Sequence, residues 1–119
     1  MTSIGIDIVE IERVESAIKQ WGERFLNRIY TEAELKICQD RLASLASRFA
    51  AKEAVMKVLG TGTKGVAWRE IEILADDNGK PLVKLYGQAL NKAAELNLKE
   101  FSISLSDSKQ HAVAVAIGI

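Results

Sequence analysis

From Arg41 to Leu59 the chain has no glycine or proline and is dominated by alanine, leucine and other strong helix formers, which predicts one long helix. Gly60 follows at once as a left-handed stop. The other elements must fit around this rod. Ile4, Ile6 and Ile8 alternate with Gly5, Asp7 and Val9, a β-branched run that reads as a buried first strand. Glu10 to Trp21 changes to helical spacing, with Gly22 as its end. Thr31-Glu32-Ala33-Glu34 has the capping-box pattern and predicts a short helix, with Tyr30 stapling its entry. Ile71 to Ala75 and Leu82 to Leu85 flank Asn78-Gly79, a hairpin signal. A short helix over Gln88 to Leu96 and strands over Phe101–Ser106 and Ala112–Ile117 complete the reading. Strands and helices segregated in this way give an α+β domain, one unit spanning 1–119, with an antiparallel-rich sheet packed on the long central helix.

Composition narrows the function. With 48% hydrophobic residues, 27% charged residues and one proline, the 119 residues describe one globular unit without an interdomain linker. Lys+Arg 16 balance Asp+Glu 16, so the chain lacks the cation excess that binding along a nucleic acid needs. Cys38 is the only cysteine, which leaves no intrachain disulfide and no cysteine-based zinc site. The N-terminus has no basic segment followed by an apolar stretch, and no run approaches a membrane span. The expectation is a cytoplasmic protein without membrane association.

Charges in apolar surroundings mark the candidate site. On the long helix Leu42, Leu45, Ala46, Phe49 and Ala50 form an apolar face whose continuation lands on Glu53 and Lys57. Their i,i+4 spacing allows a plain surface bridge. The alternative is a cleft in which Glu53 binds a cation and Lys57 faces an anion. Asp7 favours the second, because an acid within an apolar strand costs several kcal/mol unless it is paired, protonated or metal-bound. Asp7 and Glu53, with Lys57 and Arg48 nearby, suit magnesium, which takes oxygen ligands and shares its shell with substrate phosphates. The single histidine, His111, cannot build a histidine-rich metal site and is given no catalytic role. Gly60 to Gly65 lacks the spacing of a nucleotide-phosphate loop and follows a helix rather than opening one. Ser102, Ser104 and Ser106 alternate as a polar sheet face.

Gly5-Ile6-Asp7-Ile8-Val9-Glu10-Ile11, Arg24-Phe25-Leu26 with Arg28-Ile29-Tyr30-Thr31, Arg48 through Lys57, Leu59-Gly60-Thr61-Gly62, Gly79-Lys80-Pro81 and Ile103-Ser104-Leu105-Ser106 stand in this order along the chain. Together they resemble the holo-acyl-carrier-protein synthase family. The resemblance implies the 4'-phosphopantetheinyl transferase fold and a magnesium-dependent transfer of 4'-phosphopantetheine from coenzyme A to a serine of apo-acyl carrier protein, in support of fatty acid biosynthesis. Manganese could replace magnesium. It implies Asp7, Glu53 and Lys57 as catalytic residues, Asp7 and Glu53 as the metal ligands and Lys57 as holding the pyrophosphate or assisting the leaving group. Coenzyme A contacts are implied at Arg48, Lys57, Gly60, Lys80, Pro81, Ser106, Asp107 and Ser108, and carrier-protein contacts at Arg13, Arg24 and Arg28. A chain of one unit also resembles homotrimers whose active sites are shared between subunits.

There is one departure. Asp107 stands where the family usually has a histidine beside the coenzyme A phosphates, and a carboxylate there repels phosphate. His111 is four residues further on, about 13 Å along an extended strand, and so is expected to be too distant to replace it. Asp107 also motivates an alternative, a catalytically silent relative that binds coenzyme A or carrier protein.

Overall fold

The computed structural model describes residues 1–119. In chain order the elements are β1 (Ser3–Glu10), α1 (Ile11–Trp21), α2 (Glu23–Ile29), α3 (Glu32–Cys38), α4 (Leu42–Leu59), a 3₁₀ turn (Trp68–Glu70), β2 (Ile71–Ala75), β3 (Pro81–Leu85), α5 (Gly87–Glu95), β4 (Phe101–Asp107) and β5 (His111–Gly118). The strands form two antiparallel sheets, one ordered β1-β5-β4 and the other β2-β3. The α+β class is therefore as expected, with two sheets in place of one. Helix α2 was not anticipated. Its seven residues follow Gly22, whose φ of 57° turns the chain sharply out of α1.

Helix α4 is the axis of the core. Twelve of its eighteen residues are buried, among them Arg48 and Lys52, so the single apolar face read from Leu42 to Ala50 is only part of its packing. Leu45, Ala46 and Ala50 are buried as that face requires, but Ala51, Ala54, Val55, Val58 and Leu59 extend burial around the rod. The facing side of the three-stranded sheet carries small residues. Ala112, Ala114 and Ala116 are fully buried there, with Gly5 beside Ala116 in register. A Cβ on Gly5 would stand 2.1 Å from the Ala54 carbonyl oxygen, so only glycine lets β1 lie against α4 at this point.

The first strand departs from the expectation of burial. Ile4, Ile6 and Ile8 are 66%, 61% and 62% exposed. Alternation sends Gly5, Asp7 and Val9 towards α4 and the three isoleucines to the opposite face. Val113, Val115 and Ile117 lie opposite them in register, and Ser106, Ser104 and Ser102 continue each row on β4. The serine face is exposed as expected. A β-branched run on both sides of a strand normally means that both faces are covered, and within one chain only one is.

A buried polar network joins α3, α4 and the β2-β3 sheet. The capping box at Thr31 is present: the Thr31 hydroxyl accepts from the Glu34 amide at 3.2 Å, and the Glu34 carboxylate accepts from the Thr31 amide at 2.8 Å. The same carboxylate accepts from the Ile73 amide at 2.7 Å and pairs with Lys52 Nζ at 2.8 Å. Glu34 and Lys52 are both fully buried. Lys52 also donates to the carbonyls of Trp68 and Ile71. Burial pulls the Lys52 ammonium below its ordinary value, while Glu34 opposes the shift. Glu72 is buried as well and accepts from the Thr31 hydroxyl at 2.6 Å and the Tyr86 hydroxyl at 2.8 Å. No buried side-chain nitrogen or oxygen lacks a partner.

Removing one member leaves the other charged in an apolar interior, the costly case for a buried pair. Lys52→Met should destabilise the fold by about 3–5 kcal/mol in urea denaturation. The double variant Lys52→Met/Glu34→Gln should lose less than the two single losses added together, because the orphaned carboxylate is then gone.

Candidate active site

Asp7 and Glu53 come together as expected. Gly5 holds β1 against α4, and Asp7, two residues on, points to the same side. Both carboxylates line a cleft of about 590 Å³ with Glu10, Arg13, Phe25, Phe49 and His111. The surface-bridge reading of Glu53 with Lys57 is not what forms. Lys57 Nζ instead pairs with Asp7 Oδ1 at 3.2 Å and donates to the Ile6 carbonyl at 2.7 Å. The Lys57 side chain is 54% exposed and that of Asp7 only 13%.

Glu53 is partly buried in this cleft beside a second carboxylate. Burial pushes the Glu53 carboxyl above its ordinary value, and the neighbouring Asp7 charge pushes it further; Lys57 and Arg13 pull the other way. A divalent cation between Asp7 and Glu53 would relieve that repulsion. No cluster of three or more His, Cys, Asp or Glu side chains forms a protein cage for a metal. Two carboxylates in an open cleft are oxygen ligands of the kind a hard divalent cation takes, with waters and substrate oxygens filling the rest of its shell.

Arg48 lies elsewhere than expected. Its side chain turns from the carboxylates to the β2 side, where Nε donates to the Ile73 carbonyl at 3.1 Å and Nη1 to the Ser44 hydroxyl at 3.0 Å. It lines a second groove, with Arg41, Ser44, Ser47, Leu105 and Asp107, that shares no residue with the first. Asp107 thus lines one groove with two arginines, though it forms an ion pair with neither. The extended-strand separation of Asp107 and His111 is also overturned. Residues 108–110 reverse the chain, with the Ser108 amide donating to the His111 carbonyl at 2.8 Å. His111 lands opposite Glu10 and lines the Asp7–Glu53 cleft, a placement that spacing along one strand could not show.

The remaining positions spread over the surface. Gly60 ends α4 at φ 73°, its amide bonded back to Lys57. Lys80 and Pro81 stand where the Asn78-Gly79 turn enters β3, in neither groove. Ser106 and Ser108 flank Asp107 and are exposed. Arg13 lines the carboxylate cleft, whereas Arg24 and Arg28 line a pocket of about 460 Å³ with Trp21, Ile29 and Trp68. Phe25 and Phe49 line both, so the two hollows share an aromatic wall. Phe49 stacks on Trp68 at 4.8 Å between centroids, and Phe25 on Phe49 at 6.3 Å.

A carboxyl raised in the folded state disfavours folding once it ionises: the penalty is absent in acid and complete when pH has risen past the raised value. Glu53→Gln removes it. In chelator, calorimetry should show this variant with a Tm at or above the parent near about pH 8, and the difference should shrink towards about pH 4.

Comparison with known proteins gives this site its family. Residues 3–116 match the model of the 4'-phosphopantetheinyl transferase superfamily. The chain is 52% identical over 117 residues to a holo-[acyl-carrier-protein] synthase of Dehalococcoides mccartyi, covering 98% of each chain. It is 47% identical to that of Herpetosiphon aurantiacus, covering 100% of this chain and 99% of the other. The crystal structure of Helicobacter pylori holo-[acyl-carrier-protein] synthase in complex with coenzyme A superposes with a TM-score of 0.89 at 34% identity, over 98% of this chain and 99% of that one. The Bacillus anthracis synthase, in complex with CoA (3',5'-ADP), gives 0.79 at 36% identity, over 98% of this chain and 94% of that one. With sequence and fold in agreement, the chain belongs to the 4'-phosphopantetheinyl transferase superfamily, as an enzyme of the holo-[acyl-carrier-protein] synthase type.

Proposed function

We propose that the chain moves 4'-phosphopantetheine from coenzyme A to a serine of apo-acyl carrier protein, releasing adenosine 3',5'-bisphosphate, in a magnesium-dependent reaction of the cytoplasm that supports fatty acid biosynthesis. The observation that carries this is the convergence of Asp7 and Glu53 in one cleft with Arg13, and with Lys57 bonded to Asp7. The serine oxygen forms a bond to the phosphorus of the phosphopantetheine unit, the bond from that phosphorus to the bridging oxygen breaks so that this oxygen departs on adenosine 3',5'-bisphosphate, and the serine proton passes to a water or carboxylate in the cleft. Little covalent work is asked of the protein in such a transfer; positioning and charge stabilisation dominate.

Asp7 and Glu53 are the residues that would hold magnesium, which when bound polarises phosphoryl oxygens and neutralises their charge. Lys57 sets an ammonium beside the pyrophosphate. Arg48, already half-committed to Ile73 and Ser44, keeps Nη2 for a phosphate of the nucleotide. Gly60, Lys80, Pro81, Ser106, Asp107 and Ser108 are the further coenzyme A positions in this reading. Arg13, Arg24 and Arg28 face an acidic carrier protein, with the Phe25–Phe49 wall between the arginine pocket and the carboxylates. Rim cations of this kind chiefly raise the encounter rate.

The active unit in this reading is a homotrimer. Two features support it: six aliphatic side chains on the outer face of the β1-β5-β4 sheet, with Ile4, Ile6 and Ile8 mostly exposed, and two grooves that share no residue within one chain. Contact between copies covers the first and lets the groove of one chain meet the cleft of another.

Intact-mass analysis of apo-acyl carrier protein incubated with the protein, coenzyme A and magnesium tests the reaction. A phosphopantetheine mass gain is expected, lost in chelator and reduced by about two orders of magnitude or more in Glu53→Ala. No gain with a carrier protein known to be competent would leave the silent binding relative as the reading. Sedimentation should show the parent chain at the mass of three copies and Ile6→Glu at the mass of one. A monomeric parent would rule out the trimer.

A further inference from the structure

We propose that Lys57 holds the Asp7 carboxylate in the metal-free protein and hands it to the incoming divalent cation, so that cation binding and Lys57 release are one coupled event. The inference rests on the reading of Asp7 and Glu53 as the cation site.

The geometry assigns Lys57 two bonds of different kinds. One runs to the Ile6 carbonyl at 2.7 Å, the other to Asp7 Oδ1 at 3.2 Å. An ammonium has three donors, so one remains free. The Ile6 bond is to backbone held in the β1-β5 ladder, and no cation bound at the carboxylates competes for it. The Asp7 bond is different, because it engages a carboxylate that a cation would seek. A divalent ion outweighs an ammonium for a carboxylate oxygen, and the two positive charges repel at such separation. Lys57 then stays tethered at Ile6 with two donors free, beside the carboxylates and open to solvent, where an anionic phosphate can be met. Without the cation, the same lysine keeps Asp7 from standing unpaired in a cleft that it shares with Glu53 and Glu10. Lys57 is therefore both a counter-ion and a device that presents a phosphate ligand only after the cation is in place.

Arg13 provides the control, since it lines the same cleft and carries the same charge but forms no ion pair. The measurement is Mn²⁺ binding to the full chain without coenzyme A, by electron paramagnetic resonance of the free ion, on the parent, Lys57→Met, Arg13→Met and Asp7→Asn. Lys57→Met should bind Mn²⁺ about threefold or more tighter than the parent. Arg13→Met should gain clearly less, and Asp7→Asn should bind more weakly than the parent. Equal gains in Lys57→Met and Arg13→Met would reduce the effect to the net charge of the cleft and overturn the handover. An unchanged or weaker affinity in Lys57→Met, with the parent binding Mn²⁺ and Asp7→Asn weakened, would overturn the handover and leave the cation site standing. No Mn²⁺ binding by the parent, or none lost in Asp7→Asn, would overturn the cation site and the handover together.

Discussion

The buried Glu34–Lys52 pair is the interaction on which the rest of the architecture depends. One carboxylate caps α3, accepts from the Ile73 amide of β2 and neutralises a lysine of α4. The lysine in turn fastens the carbonyls at either side of the 3₁₀ turn. The consecutive helices α3 and α4 and the later strand β2 are thereby tied at one point that water does not reach. Such a pair adds less net stability than its Coulomb energy suggests, because both ions have left water. Its effect is on arrangement: any slip of α4 along its axis or rotation about it leaves two buried charges unpaired.

Glu53 follows Lys52 directly in α4, about 100° further around the helix. With Lys52 fixed among α3 and β2, Glu53 emerges on the side where β1 crosses. The close approach at Gly5 then sets how near Asp7 can come. The rigid core and the polar cleft are therefore consecutive residues of the same helix. Arg48 belongs to the other side of this arrangement, because its guanidinium bonds the carbonyl of the same Ile73 whose amide bonds Glu34. Through Arg48 the core network thus reaches the second groove, and through Glu53, next to Lys52 in the helix, it adjoins the first.

Much of this was legible beforehand from local chemistry. The Thr31–Glu34 capping box, the Asn78-Gly79 hairpin and the Gly60 stop depend on neighbours a few residues apart, and all three formed. Asp7 was legible because an acid in an apolar run demands an explanation, and Glu53 because it interrupts a helical stripe. Lys52 carries no such signal, since a lysine among alanines reads as a solvated side chain until its burial is known. Helix α2 escaped for a related reason: seven residues carry too little periodicity to separate a short helix from a loop.

By itself the sequence determined the helices and strands with strong local signals, the α+β class, the family and the two carboxylates, since each of these rests on residue identity and short-range spacing. Tertiary structure alone decided the partners. Lys57 bonds Asp7 across fifty residues of chain rather than Glu53 one helical turn away. Arg48 faces a different groove from the carboxylates, and His111 comes back to their cleft through a turn. It also decided which face of β1 is covered, turning Ile4, Ile6 and Ile8 outward. Alternation along a strand tells which residues share a face, but which face meets the core depends on where α4 and Gly5 come together, and that contact joins positions that no local pattern connects.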